Sequence, residues 1–287
     1  MNCGNPYMLG NAPVACGRCI PCRINKRREW THRMVLESYC HDENVFVTVT
    51  YDDDHLPPDG SVSPDDMRLF LNRLRDHCSR SLGSRFRFFG VGEYGEVSQR
   101  PHYHFIIFGM SVADLPVFQK AWNKGFVYLG DVTEHSIQYV AGYTLKKMNK
   151  PDLAGRTPEF QRQSTRPGLG ALAIPILADA LGEYGRKEIE KAGDVPNRLR
   201  VGKKSLILGR YLRSKLRLEV GMTDEEKALV TARFFQKHFE EMCSVFFDKK
   251  EKEEFFSWKK EIEEKSKGVR AGIEARYKIR NSKGSKI

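Results

Sequence analysis

"RFRFFGVGEYGEVSQRPHYHFIIFG", residues 85–109, decides how this chain is read. Two apolar runs, 85–93 and 102–109, are separated by eight residues and predict an antiparallel strand pair. Side chains alternate along a strand. His102 and His104 therefore share one face, and Tyr103, Phe105 and Ile107 the other. The hairpin brings Glu93, at the end of the first strand, near both histidines. Two imidazoles and one carboxylate with open positions make a candidate site for a catalytic divalent metal. The same residues also fit two histidines hydrogen-bonded on a sheet face and a loop carboxylate.

Working outward, "VFVTVTY" (45–51) alternates and is β-branched, which predicts a strand. "SPDDMRLFLNRLRDHCSR" (63–80) predicts a helix with Ser63 as N-cap, Pro64 at the first position, and Met67, Leu71 and Leu74 at helical spacing. Beyond the hairpin come a short helix at 115–125, a strand at 126–130 and a helix from Thr133 to Lys150. The order β-α-β-β-α-β predicts an α+β, ferredoxin-like unit: a central antiparallel sheet with helices on one face and the other left open. Three regions are expected: a cysteine-rich, basic segment at 1–40, a core at 41–150, and a mostly helical basic region at 151–287. In the last, "RLRVGKKSLILGRYLRSKLR" (198–217) holds eight Lys or Arg and no acid, and 223–247 opens with a capping-box pattern.

The helix "TEHSIQYVAGYTLKKMNK" carries Tyr139 and Tyr143 one turn apart. At about 100° per residue, Tyr143, Lys146, Lys147 and Lys150 fall within an arc of roughly 100° around Tyr139. Ile137, Ala141, Thr144, Leu145 and Met148 fall opposite, so the tyrosines and lysines are expected to face outward. A phenol oxygen can attack phosphorus if it is positioned and its developing charge is met, and lysines can meet it. Plain boundary tyrosines fit the pattern as well. Gly142 leaves space between the two tyrosines, where a DNA backbone could approach.

"FVTVTY", "GEYGE…RPHYHFIIFG" and "YVAGYTLKK", in this order and spacing, resemble the HUH endonucleases of rolling-circle replication. The likeness is strongest to replication initiation proteins of small single-stranded DNA phages, the gokushovirus branch of the microviruses. "CGRCIPCRINKRREW" and "STRPGLG" share it. The resemblance implies an HUH fold and an enzyme that nicks the origin strand through a tyrosine. It would form a 5′-phosphotyrosine link, free a 3′-OH, and later rejoin the strand with a second tyrosine. It implies Glu93, His102 and His104 on Mg2+ or Mn2+, single-stranded DNA and the origin of replication as partners, and host helicase and polymerase. Tyr103 departs from the aliphatic residue common at this place in the wider superfamily. Two rivals stand beside this reading: an HUH plasmid initiator or transposase, and a non-catalytic zinc-containing DNA-binding regulator.

Cys16, Cys19 and Cys22 lie at three-residue spacing with Cys3 upstream, and four thiolates suit a closed structural zinc site. Inert thiols and an iron–sulfur cluster are the alternatives. Arg23, Lys26, Arg27 and Arg28 follow at once, either as contacts to DNA phosphates or as a solvated helix face. Cys40, Cys78 and Cys243 read as small buried hydrophobes. The formal charge of +11 favours a polyanionic partner. No stretch of about 18 apolar residues occurs, so no membrane span is expected. The first residues lack the pattern of a signal peptide, so the expected place of work is the host bacterial cytoplasm, with reduced cysteines.

Overall fold

The computed structural model describes residues 3–9, 12–81, 85–95, 97–146, 155–201, 204–223 and 225. The expected helix at 223–247, Cys243, and the lysines 147 and 150 lie wholly or almost wholly outside them. The chain divides into two compact units. One comprises residues 1–26, 184–195 and 220–287, the other 27–183 and 196–219.

In the first unit, β1 (Tyr7–Leu9) and β2 (Ala12–Val14) pair as a short antiparallel hairpin. It leads to α1 (Ile20–Ser38), whose first turns belong to this unit and the rest to the second.

The second unit is built on a five-stranded antiparallel sheet. Its elements are β3 (Asn44–Tyr51), α2 (Pro64–Ser81), β4 (Arg87–Tyr94), β5 (Pro101–Phe108), α3 (Leu115–Trp122), β6 (Gly125–Asp131), α4 (Glu134–Lys146) and β7 (Phe160–Gln163). The strand order is β6-β3-β5-β4-β7. The expected β-α-β-β-α-β succession is present, and β7, from beyond residue 150, extends the sheet past β4.

β5 lies between β3 and β4, and β3 between β5 and β6, so α2 and α3 each cross over one intervening strand. Crossovers of one hand place both helices on one face. There Met67, Phe70, Leu71 and Leu74 of α2 and Phe118 and Trp122 of α3 bury Val45, Val47, Val49, Tyr103, Phe105 and Ile107. The N-cap is as expected: the Ser63 hydroxyl accepts from the Asp66 amide at 3.1 Å.

The opposite face is not left open as the sequence suggested. α1 and α4 cover part of it, with Trp30, Met34, Ile137, Val140, Ala141 and Tyr143 packed on Phe89, Val91, Ile106 and Phe108. The reason is in the strands: β4 and β5 are apolar on both faces, and a strand buried on both sides needs two layers of cover.

Tyr103 answers for its departure from an aliphatic residue. Its hydroxyl accepts from the Ser63 amide at 2.7 Å and bonds Tyr51 at 2.7 Å. Tyr51 in turn donates to Asp66. The phenol thus pins β5 to the start of α2 with its polar tip satisfied in the core.

Three elements were not foreseen as such. "RLRVGKKSLILGRYLRSKLR" forms a hairpin, β8 (Arg198–Val201) and β9 (Lys204–Ile207), and then α6 (Gly209–Glu219); before it stands α5 (Ile174–Ala192). Leu212 and Leu216 of α6 are buried. Cys78 is buried as expected, but Cys40 is only half-buried, its thiol donating to the Leu36 carbonyl.

Candidate active site

Glu93 and His102 are direct cross-strand partners, and His104 pairs with Val91 one step along. Cross-strand partners share a face, so all three chemical groups project toward the α1–α4 side. The His102 and His104 Nε2 atoms lie 2.8 and 3.2 Å from Glu93 Oε1. The outer nitrogens are committed elsewhere. His102 Nδ1 is 3.0 Å from the Arg100 carbonyl, and His104 Nδ1 is 2.8 Å from Thr48 Oγ1.

This arrangement tests whether a metal fits. A carbonyl only accepts, so His102 Nδ1 carries the proton and its neutral ring presents a lone pair at Nε2. That lone pair faces a carboxylate oxygen, which also accepts. Two acceptors this close call for a cation between them, either a proton or a metal ion. Glu93 Oε2 is buried with no hydrogen-bond partner. The three ligand atoms lie within 4.8 Å of one another. The outer bonds to Arg100 and Thr48 are the orienting partners that metal-bound histidines use. The set fits a divalent ion. Burial raises the Glu93 carboxyl, but the hydrogen bonds and charges of the two imidazoles outweigh it and hold the group down to about 2.

α4 lays its tyrosines over this site. The Tyr143 ring stacks on His104 with centroids 5.3 Å apart and planes 10° from parallel. Tyr139 meets His104 edge-on at 5.3 Å and Tyr143 at 5.0 Å. The expectation that both face outward fails for Tyr143, which is 5% exposed; Tyr139 is 50% exposed. The buried arc of α4 centres on Val140 rather than on the Ile137–Ala141 stripe. Tyr143, only about 60° from Val140, falls inside it, and Tyr139 stands at its edge. Burial, and the charge of Glu93, raise the Tyr143 phenol well above its ordinary value.

Beside the histidines lies an open groove lined by Phe46, Thr48, His104, Tyr128, His135 and Tyr139. Thr48 and Phe46 were missed in the sequence reading. The signal was present: "VFVTVTY" alternates, and its register with β5 sets Thr48 opposite His104.

The remaining predicted residues are dispersed. Lys146 closes α4, and nothing is described of its side chain; lysines 147 and 150 lie outside the described residues. Arg27 donates to the Gln138 carbonyl through Nε and Nη2, at 3.2 and 2.9 Å, which ties α1 to α4. The Cβ position of Gly142 faces this guanidinium at 3.8 Å, so the space there serves the helix crossing and not a DNA backbone. Arg23 donates to the Arg18 carbonyl, and Lys26 and Arg28 are exposed on α1.

In the other unit, Cys3, Cys16, Cys19 and Cys22 bring their sulfurs within 4.8 Å of one another, with Cys3 and Cys19 3.7 Å apart. The amides of Gly4, Cys16 and Cys19 point at the sulfurs of Cys19, Cys3 and Cys16. The Cys19 amide leads in lowering Cys16 to about 6, while burial pushes Cys22 up to about 12. Four converging thiols with such unequal proton affinities fit a thiolate-binding metal.

The elements that carry the Glu–His–His group and both tyrosines coincide with a known family. Residues 44–148, from β3 to the end of α4, match the family model described as replication-associated protein of the ORF2 type. Among curated proteins, the chain is 36% identical to the "Replication-associated protein VP4" of Bdellovibrio phage phiMH2K over 49% of this chain and 50% of that protein. It is 31% identical to the "Replication-associated protein ORF2" of Spiroplasma virus 4 over 58% of each. It is 27% identical to the "Replication-associated protein ORF4" of Chlamydia phage 1 over 74% of this chain and 56% of that protein. The matches span only about half the length of these relatives. No solved structure matches. The resemblance to phage replication proteins read from the motifs is borne out. Among the described residues, no helix is long and apolar enough to cross a membrane.

Proposed function

We propose that this chain is a replication initiator of a small single-stranded DNA phage, with an HUH-type fold, that nicks and later rejoins the origin strand. One observation carries the reading: the His104 imidazole faces Glu93 through Nε2 and touches both tyrosine rings. The candidate nucleophiles and the candidate phosphate-polarising group therefore meet at one side chain. The likeness to phage replication-associated proteins supports the same reading.

Tyr139, half-exposed on the groove, makes the first attack. Its oxygen bonds to phosphorus, the bond to the 3′ oxygen breaks, and that oxygen takes up a proton. The products are a 5′-phosphotyrosine and a free 3′-OH, from which a host polymerase extends behind a host helicase. Tyr143, one turn on and against the same imidazole, makes the second attack after one round; the freed 3′-OH then displaces the first tyrosine and closes the strand. Lys146 and the lysines at 147 and 150 offset charge on the phosphate. Held by Glu93, His102 and His104, Mg2+ or Mn2+ would polarise the scissile phosphate. The four cysteines hold a structural zinc, and the basic residues Arg23, Lys26 and Arg28 meet the DNA backbone. The work takes place in the host cytoplasm.

The test is a nicking assay on single-stranded origin DNA, with and without divalent ion. Covalent protein–DNA adducts that need the ion are expected. A chain that binds DNA yet never cuts it would point instead to a non-catalytic zinc-containing regulator.

A further inference from the structure

β6 is an edge strand whose two faces differ. Val127 and Leu129 pack into the core under α2 and α3. Phe126 and Tyr128 point to the other side and are 71% and 64% exposed. A solvent-facing Phe and Tyr two residues apart are not needed by the core, and the register shows what they stand beside. Thr50 pairs with both His102 and Phe126, and Thr48 with both His104 and Tyr128. Two rows therefore cross the sheet on one face: Glu93, His102, Thr50, Phe126, and Val91, His104, Thr48, Tyr128. Each aromatic lies two strand spacings, about 10 Å, from its histidine. Tyr128 also lines the groove that holds His104 and Tyr139.

We propose that Phe126 and Tyr128 form a stacking platform for the unpaired bases of single-stranded DNA lying across the β6 edge. The inference rests on the nicking reading above and adds how the strand is held and why it must be single. The platform lies about 10 Å from the histidines, within reach of bases about one to three nucleotides from the phosphate. The two rings are about 6.6 Å apart along the strand, room for one base each. Unpaired bases expose their faces and duplex bases do not, so aromatic stacking selects the single strand without reading sequence. The chain's charge of +11 suits the backbone of such a ligand.

The test measures anisotropy of a labelled mixed-sequence oligonucleotide, in chelator so that no cutting occurs. Wild type is compared with F126A/Y128A and F126Y/Y128F, and each is also given an abasic strand of equal length. The alanine pair should bind the base-bearing strand at least about tenfold more weakly and no longer distinguish it from the abasic one. The aromatic pair F126Y/Y128F should bind like wild type, and the salt dependence should stay the same in all three. Wild-type affinity in the alanine pair overturns the platform alone, provided the wild-type chain cuts DNA. If no form binds single strands, both the platform and the nicking reading fall. If the alanine pair does not fold, a Y128W variant replaces it: quenching of its fluorescence by the base-bearing strand but not the abasic one supports the platform, and equal response to both overturns it. A self-association that F126A/Y128A abolishes, with DNA affinity unchanged, would make the pair a contact between copies and overturn it too.

Discussion

The His104 imidazole lies flat against the Tyr143 ring, 10° from parallel, and meets the Tyr139 ring edge-on. One side chain thus links the carboxylate on β4 to both phenols on α4. Moving His104 moves all of them, and the predictions below start there.

Replacing His102 and His104 by alanine should abolish strand cleavage while single-strand affinity falls little, because phosphate contacts elsewhere supply most of it. Gel analysis of a labelled origin oligonucleotide and anisotropy on the same samples check this. Full cleavage by the double variant would remove the site from the mechanism.

The two tyrosines should differ. Y139F should lose most of the first adduct, since Tyr143 is buried, whereas Y143F should still form one. The double variant should form none. Mass spectrometry of trapped adducts locates the linked residue in each. Equal adduct yield from both single variants would show that burial of Tyr143 does not order the two attacks.

Purified protein should contain about one zinc ion per chain, lost with serine at Cys16 and Cys19. Elemental analysis combined with a thermal melt gives the answer. Folded protein without zinc would leave the four thiols as a metal-free cluster.

Acid should expose the state of Glu93. Its carboxyl is depressed from 4.5 to about 2, so the stability it contributes is present above about 4.5 and is lost as pH falls toward about 2. In chelator, the stability gap between wild type and E93Q should narrow across that window. Urea titrations at stepped pH measure it, and a constant gap would mean that Glu93 is not ionised in the fold.

The sheet and the Glu–His–His group were legible because both follow from a period of two. Alternation set His102 beside His104, and an eight-residue link could only return Glu93 to them. The tyrosine helix was half legible. Its 3.6-residue period gave the shared side of Tyr139 and Tyr143. The depth of each depends on where α4 leans, and that is fixed by Trp30 and Met34 of α1, far away in sequence. Cover on the second face was hidden for the same reason: α1 begins in a cysteine and arginine run that reads as chemistry, not as packing. β7, β8 and β9 are only four residues each, too short for any period to show.

Glu37 gives the second unit a means of proofreading its own assembly. This carboxylate, fully buried at the end of α1, accepts from Arg87 of β4, from His41 and from the Gly170 amide. Burial opposes its ionisation, yet these partners together keep its pKa below the ordinary value. A buried charge stripped of its partner costs about 3–5 kcal/mol. Any half-built state with β4 or the 164–170 loop undocked carries that penalty in full. Helix, strand and loop should therefore open together in native-state hydrogen exchange, and E37Q should let them open one at a time. The chain has in effect a three-key lock behind its chemistry: the strand that presents Glu93 is admitted only when two distant segments have arrived.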